Sequence, residues 1–136
     1  MRRLLITLLL MAVPIFAQDI KKYEGTWQAS FQGKPFFTMN LAETNGKLTG
    51  TVVHDNVKLD DQGNLTGVAA RDAHEKVTMI RANDNGLDIY VHDDTEPTAS
   101  GHYRFEVTGQ DEGLVKLVFI DPTGTKVKPW TVKKVE

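Results

Sequence analysis

The stretch EGTWQASF, residues 24–31, has the alternating pattern of a β-strand. Its apolar side chains Trp27, Ala29 and Phe31 recur at every second position. Because successive side chains of a β-strand point to opposite faces of a sheet, this spacing buries one face and leaves the other in water. Residues 24–31 are therefore predicted to form a half-buried strand that begins near Gly25.

The same alternation continues along the chain, and turn sequences rich in Gly, Asn, Asp and Pro interrupt it. Six further segments carry apolar residues at every second position: Phe37-Met39-Leu41, Leu48-Gly50-Val52, Val77-Met79, Leu87-Ile89-Val91, Tyr103-Phe105-Val107 and Val115-Leu117-Phe119. Only residues 19–24 suit a helical turn. We predict an all-β domain in which eight or nine antiparallel strands follow one another in an up-and-down meander.

A short internal repeat indicates that this meander closes on itself. Residues 46–50 read GKLTG, and residues 63–67 read GNLTG. Each copy joins a turn glycine to a glycine inside a strand, where glycine marks a bulge or a bend. Bends favour closure of a sheet, and closure removes both exposed edge strands. We predict a closed barrel, with a β-sandwich as the alternative.

The first 17 residues have the pattern of a signal peptide. Arg2 and Arg3 precede the apolar stretch 4–13, and Ala17 is the small residue that cleavage requires. The apolar stretch is shorter than the about 20 residues of a membrane span. We predict one soluble, monomeric domain at residues 18–136, secreted or periplasmic after cleavage near Ala17.

Charge and motifs narrow the classes of function. The chain has 16 basic and 18 acidic side chains and no cysteine. This balance gives no basic surface for nucleic acid. No phosphate-binding loop, nucleophile elbow or H-E-x-x-H pair is present, so the sequence predicts no cofactor and favours a binding protein over an enzyme.

Two short motifs carry a resemblance to known barrels. Gly25-Thr26-Trp27 matches a G-x-W signature, and residues 46–51, GKLTGT, are similar to the second hairpin of avidin-type chains. With the meander, these motifs resemble the lipocalin, fatty-acid-binding-protein and avidin (calycin-type) group. The resemblance implies a lipocalin-like barrel whose floor is closed by Trp27. It also implies a basic side chain against that ring, for which the candidates are Lys128, Lys133 and Lys134.

Residues 87–107 contain a predicted hairpin with polar residues on one face. Pairing Leu87 with Val107, Ile89 with Phe105 and Val91 with Tyr103 matches all its apolar positions. This register places Tyr90 opposite Arg104 and His92 opposite His102, with β-carbons about 5 Å apart. Two such imidazoles, with Asp94 or Glu96, suit a transition metal. The alternative is an ordinary solvent-exposed face.

An interior formed by about eight strands is either filled by side chains or holds one small ligand. For a ligand, the predicted apolar contacts are Trp27, Phe37, Met39, Tyr103 and Phe105, and the predicted polar anchors are Tyr90 and Arg104. Three functions follow. The favoured one is a carrier or sensor of a small apolar or amphipathic molecule. The others are a filled barrel acting as an interaction, inhibitory or envelope-associated module, and a hydrolase or isomerase using His92 and His102.

Overall fold

The structure is a computed structural model that describes residues 20–84, 86–95, 100–107, 114–121 and 123–135. The predicted signal peptide, residues 1–17, lies outside them. A 3-10 turn at Ile20–Tyr23 precedes eight strands: β1 Gly25–Phe31, β2 Lys34–Thr44, β3 Lys47–Leu59, β4 Leu65–Asn83, β5 Gly86–Asp93, β6 Ser100–Val107, β7 Leu114–Ile120 and β8 Trp130–Val135. No helix within the described ranges has the length and apolar character needed to cross a membrane.

The eight strands form a closed antiparallel barrel in chain order. Each strand pairs with the next, and β8 returns to pair with β1 through Trp27 and Lys134. The predicted up-and-down meander and its closure are confirmed, and the sandwich alternative is wrong. In the described ranges each strand therefore has a neighbour on both sides, although residues 56–59 of β3 and 65–69 of β4 pair only with each other.

Several apolar residues of the alternating pattern fill one end of the barrel, whereas Met79 is 39% exposed because the register of β4 and β5 shifts between Val77 and Met79. Trp27, Met39, Ile89 and Phe105 are each at most 1% exposed. The Trp27 indole N–H donates to the carbonyl oxygen of Tyr23 at 2.9 Å, and its ring lies edge-on to Phe105, with centroids 4.8 Å apart. These contacts close the end of the barrel at which β1 begins.

Of the three lysines considered as partners of Trp27, Lys134 lies against it. Its Nζ atom is 5.6 Å from the centre of the Trp27 ring. An ammonium at this distance from an aromatic ring is within the range of a cation–π interaction.

The β3–β4 hairpin is much longer than the other hairpins and bends at Asp55. The Asp55 carboxylate accepts the backbone N–H groups of Arg71 and Asp72, each at 3.0 Å, where the strand register shifts. At the hairpin tip, the Gly63 carbonyl oxygen accepts the backbone N–H of Lys128 at 3.0 Å. Because β3–β4 and β7–β8 lie on opposite sides of the ring, the hairpin crosses the other end of the barrel.

The predicted register of the β5–β6 hairpin is wrong by two residues. Leu87 pairs with Phe105, Ile89 with Tyr103 and Val91 with Gly101. A shift of two keeps each side chain on its predicted face but changes its partner. The observed register places Asp88 opposite Arg104, whereas the predicted one would place it opposite Glu106. The attraction of the first pair and the repulsion of the second explain the difference.

Candidate functional site

A cavity of about 510 Å³ opens at the end of the barrel opposite Trp27. The strand ends locate it, since its lining includes residues at the starts of β2, β6 and β8 and at the ends of β5 and β7. Asn56 and Val57 of the crossing hairpin also line it. The half of the barrel that contains Trp27 is therefore filled, and the cavity lies under the β3–β4 hairpin.

One wall of the cavity is aromatic. The rings of Phe36 and Trp130 meet edge to face, with centroids 5.2 Å apart. Phe37 and Phe119 each lie 5.3 Å from the Tyr103 ring, measured between centroids. These contacts hold the rings of the wall against one another, which presents a shaped apolar surface to the cavity.

The facing wall centres on the carboxylate of Glu75, which is only 8% exposed. Its Oε1 atom accepts the hydroxyl of Tyr103 at 2.9 Å and lies 3.2 Å from Nε2 of His54. Nδ1 of His54 lies 3.0 Å from the carbonyl oxygen of Asp55. Both ring nitrogens of His54 thus face acceptors, an arrangement that the imidazolium satisfies as a double donor.

A second buried carboxylate, Asp93, stands beside the first. Glu75 and Asp93 are directly opposite residues of β4 and β5, and Asp93 is 5% exposed. Its Oδ1 atom accepts the backbone N–H and the hydroxyl of Thr95, each at 2.7 Å. Its Oδ2 atom lies 3.6 Å from Nη2 of Arg71, whose side chain is partly exposed.

These surroundings raise the pKa values of His54 and Tyr103. Burial lowers the pKa of His54, but the hydrogen bonds to Glu75 and to the Asp55 carbonyl outweigh it, so the pKa lies above its ordinary value of 6.5. Burial and the neighbouring Glu75 carboxylate raise the pKa of Tyr103 well above its ordinary value. Tyr103 is therefore a neutral hydrogen-bond donor, and the charged form of His54 is favoured more than that of a free histidine.

Among the residues predicted to bind a ligand, Phe37 and Tyr103 line this cavity. Trp27, Met39 and Phe105 belong to the filled core below it. Tyr90 and Arg104 lie on the outer face of the barrel, since they alternate with buried residues of β5 and β6. Neither residue is an interior anchor, because closure turned that face of the hairpin towards solvent.

The two histidines predicted as metal ligands also lie on the outer face. His92 is opposite Ser100, not His102. Nε2 of His102 lies 2.8 Å from Oδ1 of Asp88, and its ring stacks on Tyr90, with centroids 4.3 Å apart. Glu96 lies outside the described residues. Within the described part of the chain, no group of three or more His, Cys, Asp or Glu side chains is placed to hold a metal.

The polar residues of the cavity are not among the predicted site residues, although the alternating pattern contains them. His54 lies two positions after Val52, Glu75 two before Val77 and Asp93 two after Val91, so each continues an inward-facing series. A polar residue that continues an apolar series near the end of a strand is therefore predicted to face the interior.

Comparison of the chain with protein-family models, with curated proteins and with solved structures found no match. Its function is therefore inferred from the fold and from the residues of the cavity.

Proposed function

We propose that this protein is an exported carrier or sensor that binds a small amphipathic molecule in the cavity at the mouth of its barrel. The observation that carries the proposal is the division of a space of about 510 Å³ into an aromatic wall and a polar wall. Binding pockets for small molecules have volumes of about 300–1,000 Å³ and combine apolar walls with a few placed polar groups.

The fold suits such a role because its two ends differ. The end closed by Trp27 and Phe105 is packed and supports the base of the cavity. The other end holds the cavity and is crossed by the β3–β4 hairpin, whose Val57 lines the space. An apolar ligand group would pack on Phe36, Phe119 and Trp130, and removing its surface from water would stabilise the complex.

Export is the part of the proposal that rests on sequence alone, namely on residues 1–17. The mass of the protein recovered outside the cytoplasm tests it, since cleavage near Ala17 predicts a mature chain that begins at Gln18. Recovery of the uncleaved chain inside the cytoplasm would contradict export without affecting the cavity.

The cavity is tested with 1-aminoanthracene, an apolar dye whose fluorescence increases on leaving water. We expect saturable binding to the wild type and at least fivefold weaker binding to Phe119→Ala, which removes a ring from the aromatic wall. Ile120→Ala is the matched control, because Ile120 is the next residue of β7 and alternates to the outer face. Absence of dye binding, or equal loss in both variants, would contradict the proposal.

Native mass spectrometry of protein purified from its own host complements the dye. A mass excess that disappears on denaturation would reveal the natural ligand and its mass.

The two tryptophans then locate the ligand by fluorescence. Trp27→Phe leaves only Trp130 of the cavity wall to report binding, and Trp130→Phe leaves only the distant Trp27. A response from Trp27 alone would place the ligand elsewhere.

A further inference from the structure

We infer that the ligand of this cavity is an organic cation, a small amine or guanidine with an apolar body, whose charged group binds Glu75. This inference deepens the proposed function and rests on it. It concerns the chemistry of the polar wall, which the presence of a cavity alone does not specify.

The carboxylate of Glu75 has one occupied oxygen and one open oxygen. Oε1 receives both contacts, from Tyr103 and from His54. No donor among the described residues reaches Oε2. A Cβ added at Gly101, another residue of the lining, would lie 3.6 Å from Oε2, so the missing side chain of this glycine leaves space beside the open oxygen. Because Glu75 is buried, its open and charged oxygen is suited to accept a hydrogen bond from a ligand.

The charges around the cavity favour a cation over an anion. Its described lining residues include three acidic ones, Asp55, Glu75 and Asp93, against one arginine, Arg71, and the titratable His54. Arg71 already lies 3.6 Å from Asp93. These residues thus carry a formal excess of negative charge even when His54 is protonated, with Asp55 at the rim included. An entering carboxylate or phosphate would add to this excess, whereas a monocation would reduce it.

The positions of the two buried carboxylates fit an ammonium group in particular. Directly opposed residues of neighbouring strands have β-carbons about 5 Å apart, which puts Glu75 and Asp93 within reach of one small group. An ammonium carries three donors, and the open Glu75 oxygen is an acceptor that can bind one of them. The facing rings of Phe119 and Trp130 would hold the apolar body and attract the charge through their faces.

Three probes that share a phenyl-alkyl body test the inference by calorimetric titration: 2-phenylethylamine as the cation, 2-phenylethanol as the neutral analogue and 3-phenylpropanoate as the anion. We expect the amine to bind at least tenfold more tightly than the alcohol, and the anion to bind most weakly. Glu75→Gln should abolish the preference for the amine. Glu106→Gln, the same change on the outer face opposite Lys116, should preserve it.

The outcomes separate this inference from the proposed function. Equal binding of amine and alcohol, or tighter binding of the anion, overturns the cation while leaving a ligand-binding cavity. Failure of all three probes and of 1-aminoanthracene overturns both. If Glu75→Gln does not fold, the wild type still decides: added salt should weaken binding of the amine but not of the alcohol, and identical salt responses overturn the inference.

Discussion

The hydroxyl oxygen of Tyr103 lies 2.9 Å from Oε1 of Glu75 and joins β6 to β4 through the interior of the barrel. These strands are not neighbours, since β5 pairs with both. The bond therefore adds a link that the backbone ladders do not supply. It also orients the carboxylate, because it occupies Oε1 together with His54 and leaves Oε2 towards the cavity.

Tyr103→Phe should lower the free energy of unfolding by about 1.5–3 kcal/mol, the range for a hydrogen bond to a charged group. The ring contacts with Phe37 and Phe119 remain in this variant. Urea denaturation measures the change. Tyr90→Phe, the same deletion on the outer face, should stay within about 0.5 kcal/mol of the wild type. Equal losses in the two variants would show that the interior bond is unimportant.

Trp27→Ala should lower the free energy of unfolding by about 3–5 kcal/mol, as for other buried aromatic truncations. The ring is 1% exposed and packs edge-on against Phe105. Trp27→Phe retains an aromatic ring and should cost clearly less, which separates packing from the bond to Tyr23. A loss below about 1 kcal/mol for Trp27→Ala would place the residue outside the core.

The two strand glycines of the GKLTG and GNLTG repeat should respond differently to alanine. A Cβ added at Gly50 would overlap the backbone carbonyl oxygen of Asn40, whereas one at Gly67 would lie 3.3 Å from the flexible Lys58 side chain. Gly50→Ala should therefore destabilise the fold by about 1–3 kcal/mol, as overpacking does. Gly67→Ala should change stability by less than about 1 kcal/mol. Thermal unfolding compares them, and similar effects would contradict the close strand approach at Gly50.

The free energy of unfolding should fall as pH rises through the folded-state pKa of His54. This pKa is raised above 6.5, so the stabilising contribution is fully present below about pH 6.5 and is lost at higher pH. The groups that face the ring are Glu75, the Asp55 carbonyl and Arg71. His54→Gln should show a weaker dependence between pH 6 and pH 9 in urea denaturation. Parallel pH profiles for wild type and variant would exclude His54 as the source.

The alternation of apolar residues was sufficient to predict a segment of each strand from β1 to β7, the meander and the interior positions of Trp27, Phe37, Met39, Tyr103 and Phe105. This information is local, since a strand with one buried face requires a period of two in its own sequence. It does not extend to pairing. A shift of two residues leaves the apolar pattern intact, so the register of β5 and β6 depended on charges that meet only after pairing, such as Asp88 and Arg104.

The cavity depends on contacts between residues distant in the chain. His54, Glu75 and Tyr103 come from β3, β4 and β6, and none of the intervening sequence specifies their distances. Closure brings them together, and the bend at Asp55 carries the β3–β4 hairpin over them. Within a strand whose register is unbroken, local periodicity therefore establishes which side chains face inward. The curvature and closure of the whole sheet establish which of them meet, because those distances depend on every strand in the ring.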